Sequence, residues 1–122
     1  MAKNILIVDD SPSVRKTLRQ ALEVSGWECS EAVNGKDGIE KAGQLIPSLV
    51  ILDLSMPVMN GLQAARELRR LFPGLPLVMF TSFETAHLTR EAMDAGVTSL
   101  FSKSEPVRNL ICAIQSLLDP RP

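Results

Sequence analysis

The sequence predicts an alternating α/β fold, in which helices cover both faces of a parallel five-stranded sheet. Four short apolar runs each end in a polar side chain, and helical patterns lie between the runs. Apolar runs of this length are typical of strands buried on both faces, and their alternation with helices indicates a parallel sheet. Right-handed crossovers favour the strand order 2-1-3-4-5. We therefore interpret residues 1–122 as one (βα)5 domain, a three-layer sandwich.

The predicted strands follow these runs. The first predicted strand leads into two carboxylates, the third into one, the fourth into a hydroxyl and the fifth into a lysine. The second run alternates apolar with polar residues, which is the strand period. The expected strands cover 5–8, 27–32, 49–53, 77 to 80 or 81, and 97–102.

Capping and turn residues delimit the first two predicted helices. Ser11 followed by Pro12 is typical of an N-cap and a first helical residue, and apolar residues then recur at helical spacing. Asn34 and Gly35 indicate a turn. The second helix is therefore expected to begin after that turn and to cover about 37–45.

The three later helices differ in how clearly their apolar residues are patterned. The fourth, over 84–95, is only weakly amphipathic, and Ser82 is its candidate N-cap. The third places these residues on an inward face: Leu62, Ala65, Leu68 and Leu71. The fifth has the broadest apolar stripe: Val107, Leu110, Ile111, Ile114, Leu117 and Leu118.

The composition is that of an ordinary globular domain, and it excludes several classes of function. Hydrophobic residues make up 45% of the chain, charged residues 22%, and the formal net charge of -1 gives no attraction for nucleic acid. No apolar stretch approaches the ~20 residues of a membrane span, and the N-terminus does not resemble a signal peptide. Cys29 and Cys112 have neither metal-site spacing nor disulfide density. We expect a cytoplasmic protein that binds neither nucleic acid nor membrane.

The polar residues at the strand ends predict a single site. Ligands of open α/β sheets bind at the carboxyl ends of the strands, where the strand order reverses. The predicted order brings Asp9, Asp10 and Asp53 together there, and Thr81 and Lys103 end the adjoining strands. Three ionised carboxylates so close would repel one another, so a hard cation such as Mg2+ is expected. A carboxylate beside Mg2+ can also attack phosphorus and form an aspartyl phosphate.

Each of these residues has a structural alternative when it is taken alone. Asp9 and Asp10 precede a helix and could merely cap it, and an aspartate at a strand end, such as Asp53, is often a loop residue. Thr81 could cap the next helix, and a single lysine such as Lys103 is usually solvated. The joint placement of these signals, each at the end of a separate strand, favours the phosphoryl-transfer site.

The same segments resemble the receiver domain of two-component response regulators. The resemblance covers about 3–118 and depends on Ile-Leu-Ile-Val-Asp-Asp-Ser at 5–11, on Asp-Leu-Ser-Met-Pro-Val-Met-Asn-Gly at 53–61, on Thr-Ser at 81–82, and on Lys103. The segment Glu-Ala-Val-Asn-Gly-Lys-Asp-Gly at 31–38 is also similar. The resemblance implies a flavodoxin-like (βα)5 fold. It further implies that Asp53 accepts a phosphoryl group from the phosphohistidine of a histidine kinase.

The resemblance also implies a metal site. Asp10 and Asp53 would ligate Mg2+ directly, and the backbone carbonyl of Ser55 would be the third protein ligand. Asp9 would act mainly through a water. Mn2+ is expected to substitute for Mg2+.

Two further residues would contact the phosphoryl group, and two positions depart from the family pattern. Lys103 would pair with the phosphoryl group, and Thr81 would be the switch hydroxyl. Ser104 stands where the family commonly has proline, often after a cis bond, so this peptide bond is expected to be trans. Leu100 stands where Tyr or Phe is frequent, which excludes an aromatic rotamer switch at that position.

The expected protein is a receiver domain with no output domain in this chain. It would be no enzyme toward other substrates and would catalyse only its own phosphorylation and dephosphorylation. Its expected partners are a sensor histidine kinase or phosphotransfer protein, and a downstream protein or missing output domain. The expected output surface is the fourth helix, fifth strand and fifth helix, which could also form a homodimer.

Three other functions remain as alternatives. The main one is a receiver-like interaction module that binds partners without being phosphorylated. A haloacid-dehalogenase-type phosphatase also uses an aspartyl nucleophile, but it has Asp-x-Asp after the first strand, whereas Asp9 and Asp10 are adjacent. A flavodoxin is disfavoured because the loop after the first strand is acidic where a phosphate cradle is needed.

Overall fold

The computed structural model describes residues 3–82 and 85–119. Strands and helices alternate along this part of the chain, as the sequence predicted. The elements are β1 (Asn4–Val8), α1 (Pro12–Val24), β2 (Glu28–Ala32), α2 (Gly35–Leu45), β3 (Leu49–Leu52), α3 (Gly61–Leu71), β4 (Leu77–Thr81), α4 (Ala86–Asp94), β5 (Ser99–Ser102) and α5 (Val107–Leu118).

The five strands form one parallel sheet in the order β2-β1-β3-β4-β5. This confirms the predicted (βα)5 architecture. The register pairs Val8 with both Ala32 and Leu52, so the ends of β1, β2 and β3 are level. The chain crosses from β2 on one side of β1 to β3 on the other. Such a reversal of strand order leaves a crevice at the carboxyl end of β1, where Asp9 and Asp10 follow.

The helices divide into two layers, each with its own core. Leu18 and Leu22 of α1 pack with α5 on one face of the sheet, whereas α2, α3 and α4 cover the other face. The strands supply apolar side chains to both faces, and burial of each large aliphatic side chain stabilises the fold by about 1.5–3 kcal/mol. The central residues are fully buried: Ile5, Leu6, Ile7, Val8, Leu49, Val50, Leu52, Leu77, Val78 and Met79.

Side-chain caps mark the starts of α1, α2, α3 and α4, and two of these starts differ from the prediction. Ser11 caps α1 and Pro12 is its first residue, as predicted. Asn34 accepts a hydrogen bond from the Asp37 amide at 2.8 Å, so α2 begins at Gly35 and not after the turn. The N-cap of α4 is Thr85, whose hydroxyl accepts from the amide of Leu88, so the prediction of Ser82 was wrong.

The remaining differences concern element ends and one apolar face. The edge strands begin later than predicted, at Glu28 and Ser99. Residue 84, the predicted start of the fourth helix, lies outside the described residues. In α3, Leu68 is buried but Leu71 is 42% exposed, so its predicted inward position was wrong. The α5 stripe is confirmed, because Leu110, Ile114 and Leu118 are buried and the others of the stripe pack against the same core. No helix in the described ranges is both long and apolar enough to span a membrane.

Two glycines of α2 test how tightly this helix packs on the sheet. A Cβ added to Gly38 would lie 2.9 Å from Cγ2 of Val8 in β1, whereas one added to Gly43 would meet nothing within 4 Å. Both substitutions to alanine gain up to about 1 kcal/mol of helix propensity. We expect Gly43→Ala to be neutral or stabilising. Gly38→Ala should destabilise by about 1–3 kcal/mol, because the core must shift to admit the methyl group. Urea unfolding of both variants checks this, and equal stabilities would contradict the packing of α2 on Val8.

Candidate functional site

Three aspartates meet at the carboxyl edge of the sheet, as predicted. One carboxylate oxygen from each of Asp9, Asp10 and Asp53 lies within 4.8 Å of the other two. Asp9 and Asp53 are buried, with 2% and 5% of their surface exposed, whereas Asp10 is exposed. The cluster therefore has two carboxylates inside the protein and one at the protein surface.

The local backbone fixes where Asp53 lies. It follows β3 directly, and its amide donates to the carbonyl of Val8 at 2.9 Å, which ties it to the end of β1. The loop then returns to begin α3 at Gly61, whose amide donates to the carbonyl of Leu54 at 2.8 Å. A Cβ at Gly61 would lie 2.2 Å from the backbone oxygen of Asp53, so only glycine fits this approach. The start of α3 thus packs directly against the backbone of Asp53.

Lys103 supplies the positive charge of the site. Its Nζ lies 2.9 Å from Oδ2 of Asp9 and 3.2 Å from Oδ1 of Asp53. Its backbone amide donates to the carbonyl of Thr81 at 2.8 Å, which fixes the start of its side chain beside the end of β4. One ammonium group therefore joins two aspartates that lie 44 positions apart in the chain.

The pKa values of two groups in the site, Asp53 and Lys103, are raised above the ordinary values of their side chains. Burial, reinforced by the charge of Asp9, raises the pKa of the Asp53 carboxyl above its ordinary value, although Lys103 opposes this. Burial alone would lower the pKa of Lys103, but its bonds and charge interactions with Asp9 and Asp53 outweigh burial and raise it. At neutral pH the ammonium stays charged, while ionisation of Asp53 carries a cost that a further cation would relieve.

The donor set fits a hard divalent cation. It consists of carboxylate oxygens, which Mg2+ prefers, and one of the three carboxylates is open to solvent. The two oxygens of Asp9 already have protein partners, since Oδ1 accepts from the amide of Ser11 at 2.9 Å and Oδ2 contacts Lys103. Asp53 also has a protein partner, since its Oδ1 contacts Lys103, whereas Asp10 is exposed to solvent. Which of the three aspartates bind an ion directly stays a prediction.

The other two predicted site residues lie near this edge. Thr81 is the last residue of β4 and is fully buried, and its position in the sheet is fixed by pairing with Ser102 of β5. Ser55 is exposed and lies in the loop between β3 and α3. The assigned roles of Thr81 as a switch hydroxyl and of the Ser55 carbonyl as a metal ligand stay predictions.

Two serines flank Lys103, Ser102 at the end of β5 and Ser104 in the loop that follows, and no role was predicted for this pair. The hydroxyls of Ser102 and Ser104 lie 2.7 Å apart, and the amide of Ser104 donates to the Ser102 hydroxyl at 3.1 Å. Within 3–82 and 85–119 there is no cis peptide bond, so the expectation of a trans bond before Ser104 is confirmed. The signal was a Ser-x-Ser spacing, which is typical of turns closed by a side-chain hydroxyl.

Comparison with known proteins decides the family. A model of the response regulator receiver domain matches residues 5–115, which is nearly the whole chain. The chain belongs to the response regulator receiver domain family. The matched range covers the positions of all six predicted site residues.

Relatives and solved structures of receiver domains agree with this assignment. The chain is 33% identical over 104 residues to the chemotaxis protein CheY of Thermotoga maritima, covering 84% of this chain and 87% of that protein. It is 32% identical over 118 residues to CheY of Halobacterium salinarum, covering 97% and 98%. A CheY-like receiver domain structure from Methanospirillum hungatei superposes with a TM-score of 0.92 at 28% identity, covering 98% of this chain and 95% of that one. The strand order and helix layers are therefore those of a CheY-type fold.

The raised pKa of Asp53 gives a testable pH dependence. A carboxyl whose folded pKa lies above its unfolded value binds more protons when folded, so its contribution to stability falls as pH rises from 3.8 through the folded pKa. We expect Asp53→Asn to raise the melting temperature of the metal-free receiver domain by a few degrees at pH 7. This gain should fade as pH is lowered through the folded pKa.

The matched control is Asp10→Asn, which removes an exposed carboxylate of the same cluster. Because solvent screens Asp10, its substitution should stabilise less than Asp53→Asn. Thermal melts in the presence of a chelator provide the measurement. An Asp53→Asn variant less stable than the parent at pH 7 would show that the ionised carboxylate is a net stabilising partner of Lys103.

Proposed function

We propose that this receiver domain is a phosphoacceptor and that Asp53 is its nucleophile. The observation that carries the proposal is the position of the Asp53 carboxylate, which is buried, 3.2 Å from the Lys103 ammonium and clustered with two further carboxylates. Membership in the receiver family supports the same function, because receiver domains are phosphoacceptors of two-component systems. The proposal covers 1–122 as one domain.

The reaction is a phosphoryl transfer. A carboxylate oxygen of Asp53 forms a bond to phosphorus as the bond from phosphorus to the donor histidine nitrogen breaks, and the released imidazole takes up a proton. Lys103 contacts Asp53 directly and would bind an oxygen of the arriving group. Such transfers depend mainly on positioning and on neutralisation of charge. The protein contributes both through Asp53 and Lys103, whose backbones the sheet fixes.

The proposed metal ligands are those that the resemblance to receiver domains implies. Asp10 and Asp53 would hold Mg2+ directly, with the backbone carbonyl of Ser55, and Mn2+ would fit the same oxygen ligands. Asp9 would act through a water, because Ser11 and Lys103 already engage its oxygens. When bound, the cation neutralises charge on the aspartates and on the phosphoryl oxygens.

The partners follow from this chemistry. A sensor histidine kinase or a phosphotransfer protein would donate the phosphoryl group, and a downstream protein or an output domain would respond to it.

We propose α4, β5 and α5 as the responding surface, and as the surface of any homodimer. Its support is that α4 is the shortest helix of the described chain and buries only Leu88 and Ala92. Leu100 of β5 is half-buried and packs against the same core, so it could repack if Thr81 moved.

Phosphorylation of Asp53 can be tested directly. With Mg2+ and acetyl phosphate, intact mass should increase by one phosphoryl group in the parent and not in Asp53→Asn. Asp10→Ala should also block the gain, because a direct metal ligand is lost. Asp37→Asn is the control, since Asp37 pairs with Lys41 on α2 and is not a member of the aspartate cluster, and this variant should be phosphorylated normally. An unchanged parent mass, or a gain that persists in Asp53→Asn, would contradict the proposal.

The switch role of Thr81 gives a second test. The phosphoryl group adds charge and strong acceptor oxygens, so a hydroxyl at 81 should be drawn toward it. In amide chemical-shift maps with and without beryllofluoride, the parent should respond over 85–104. Thr81→Ala should still accept a phosphoryl group but show a reduced response, whereas Thr81→Ser should respond like the parent. A parent that is phosphorylated but shows no response in this region would favour a binding module that does not use phosphorylation.

A further inference from the structure

One side chain outside the aspartate cluster contacts the backbone of the cluster itself. Nη1 of Arg15, in the first turn of α1, donates to the backbone carbonyl of Asp9 at 2.8 Å. The Arg15 side chain is only 14% exposed, and its Nε donates to Oε1 of Glu31 at 2.8 Å. The guanidinium therefore connects the site to strand β2 through two of its donor nitrogens, Nε and Nη1.

The carbonyl that Arg15 binds belongs to the peptide unit between Asp9 and Asp10. A peptide unit is planar, so fixing its oxygen also fixes its N–H and the direction in which the next Cα follows. The amide of Asp9 is held separately, by a bond of 3.1 Å to the carbonyl of Ala32. Among the described contacts, Arg15 is the side chain that orients this peptide plane, and the plane sets where Asp10 begins.

Glu31 holds the guanidinium in place. Its second oxygen accepts from Nε of Arg19 at 2.8 Å, and its backbone carbonyl accepts from Nζ of Lys41 at 2.6 Å. Burial opposes ionisation of Glu31, but hydrogen bonds from Arg19 and Arg15 outweigh it and lower the pKa of the carboxyl below its ordinary value. The carboxylate thus remains charged at neutral pH, and it stays paired with Arg19 if Arg15 is removed.

We propose that Arg15 is a positioning residue for the metal site: it orients the Asp9–Asp10 peptide so that the Asp10 carboxylate can bind Mg2+ together with Asp53. The inference rests on the proposed function, because it concerns the metal that the phosphoacceptor uses. Residues that orient metal ligands without touching the ion typically change metal affinity by about 10–100-fold when substituted.

The proposal and a purely electrostatic role predict opposite effects. Arg15 is a cation near the proposed Mg2+ site, so removing its charge should tighten Mg2+ binding if charge were all that mattered. If Arg15 positions Asp10, removal should weaken binding despite this electrostatic gain. Lysine at this position keeps the charge but lacks the fork that reaches a carbonyl and a carboxylate together, so it should not replace arginine.

The test measures the dissociation constant of Mg2+ alone by calorimetry, with the metal-free melting temperature of each protein recorded beside it. We expect Arg15→Met to weaken Mg2+ binding about tenfold and Arg15→Lys to weaken it nearly as much. Arg19→Met is the matched control, because Arg19 lies on the same helix and donates to the same carboxylate at the same distance but makes no described bond to Asp9. It should bind Mg2+ within about twofold of the parent.

The possible outcomes distinguish a failure of the positioning role of Arg15 from a failure of the proposed phosphoacceptor function. A parent that binds no Mg2+ contradicts both. A parent that binds Mg2+, with an Arg15→Met variant that binds as tightly or more tightly, contradicts only the positioning role, as does full affinity in Arg15→Lys. Equal losses in Arg15→Met and Arg19→Met would assign the effect to Glu31 and also overturn the proposal. If Arg15→Met does not fold, Arg15→Lys against Arg19→Lys decides by the same criteria.

Discussion

The ion pairs of Lys103 with Asp9 and Asp53 are the interaction on which the site depends. Two buried carboxylates at one edge of a sheet repel each other, and in a medium less polar than water that repulsion is strong. The lysine ammonium lies within 3.2 Å of an oxygen from each, so the cluster contains a compensating charge of its own. Its place follows from the sheet, since the Lys103 amide is bonded to the carbonyl of Thr81. The order of the strands therefore determines the electrostatics of the site.

This compensation is incomplete, and the remaining negative charge is the property of this edge that supports the proposed phosphoryl transfer. Three carboxylates face one ammonium, and burial keeps the pKa of Asp53 raised even with Lys103 beside it. A site left with excess negative charge attracts a divalent cation, and a cation bound there neutralises the oxygens of an incoming phosphoryl group. Membership in the receiver family is consistent with a cation-binding site at this edge of the sheet.

The supports around the cluster are unequal, and the inequality is consistent with a switch. On one side the backbone of Asp53 is held by the close approach of Gly61, and Arg15 and Glu31 hold the peptide after Asp9. On the other side lies α4, which is the shortest helix of the described residues and contributes Leu88 and Ala92 to the buried interior. Segments with few buried contacts are those that shift most easily between two packings. A charge placed on Asp53 would therefore act between a rigid side and a more loosely anchored one.

The sequence by itself determined the alternation of strands and helices, the strand order and the carboxylates at the strand ends, because apolar runs, helical periodicity and crossover rules are local or topological. It misplaced the cap of α4, which is Thr85, and the side chain of Leu71, because caps and faces depend on how a helix is docked. Only the tertiary structure decided that Lys103 contacts Asp9 as well as Asp53, and that Arg15 binds the carbonyl of Asp9. These contacts join elements far apart in the chain, where rotamers and packing, rather than any sequence pattern, fix which atoms meet.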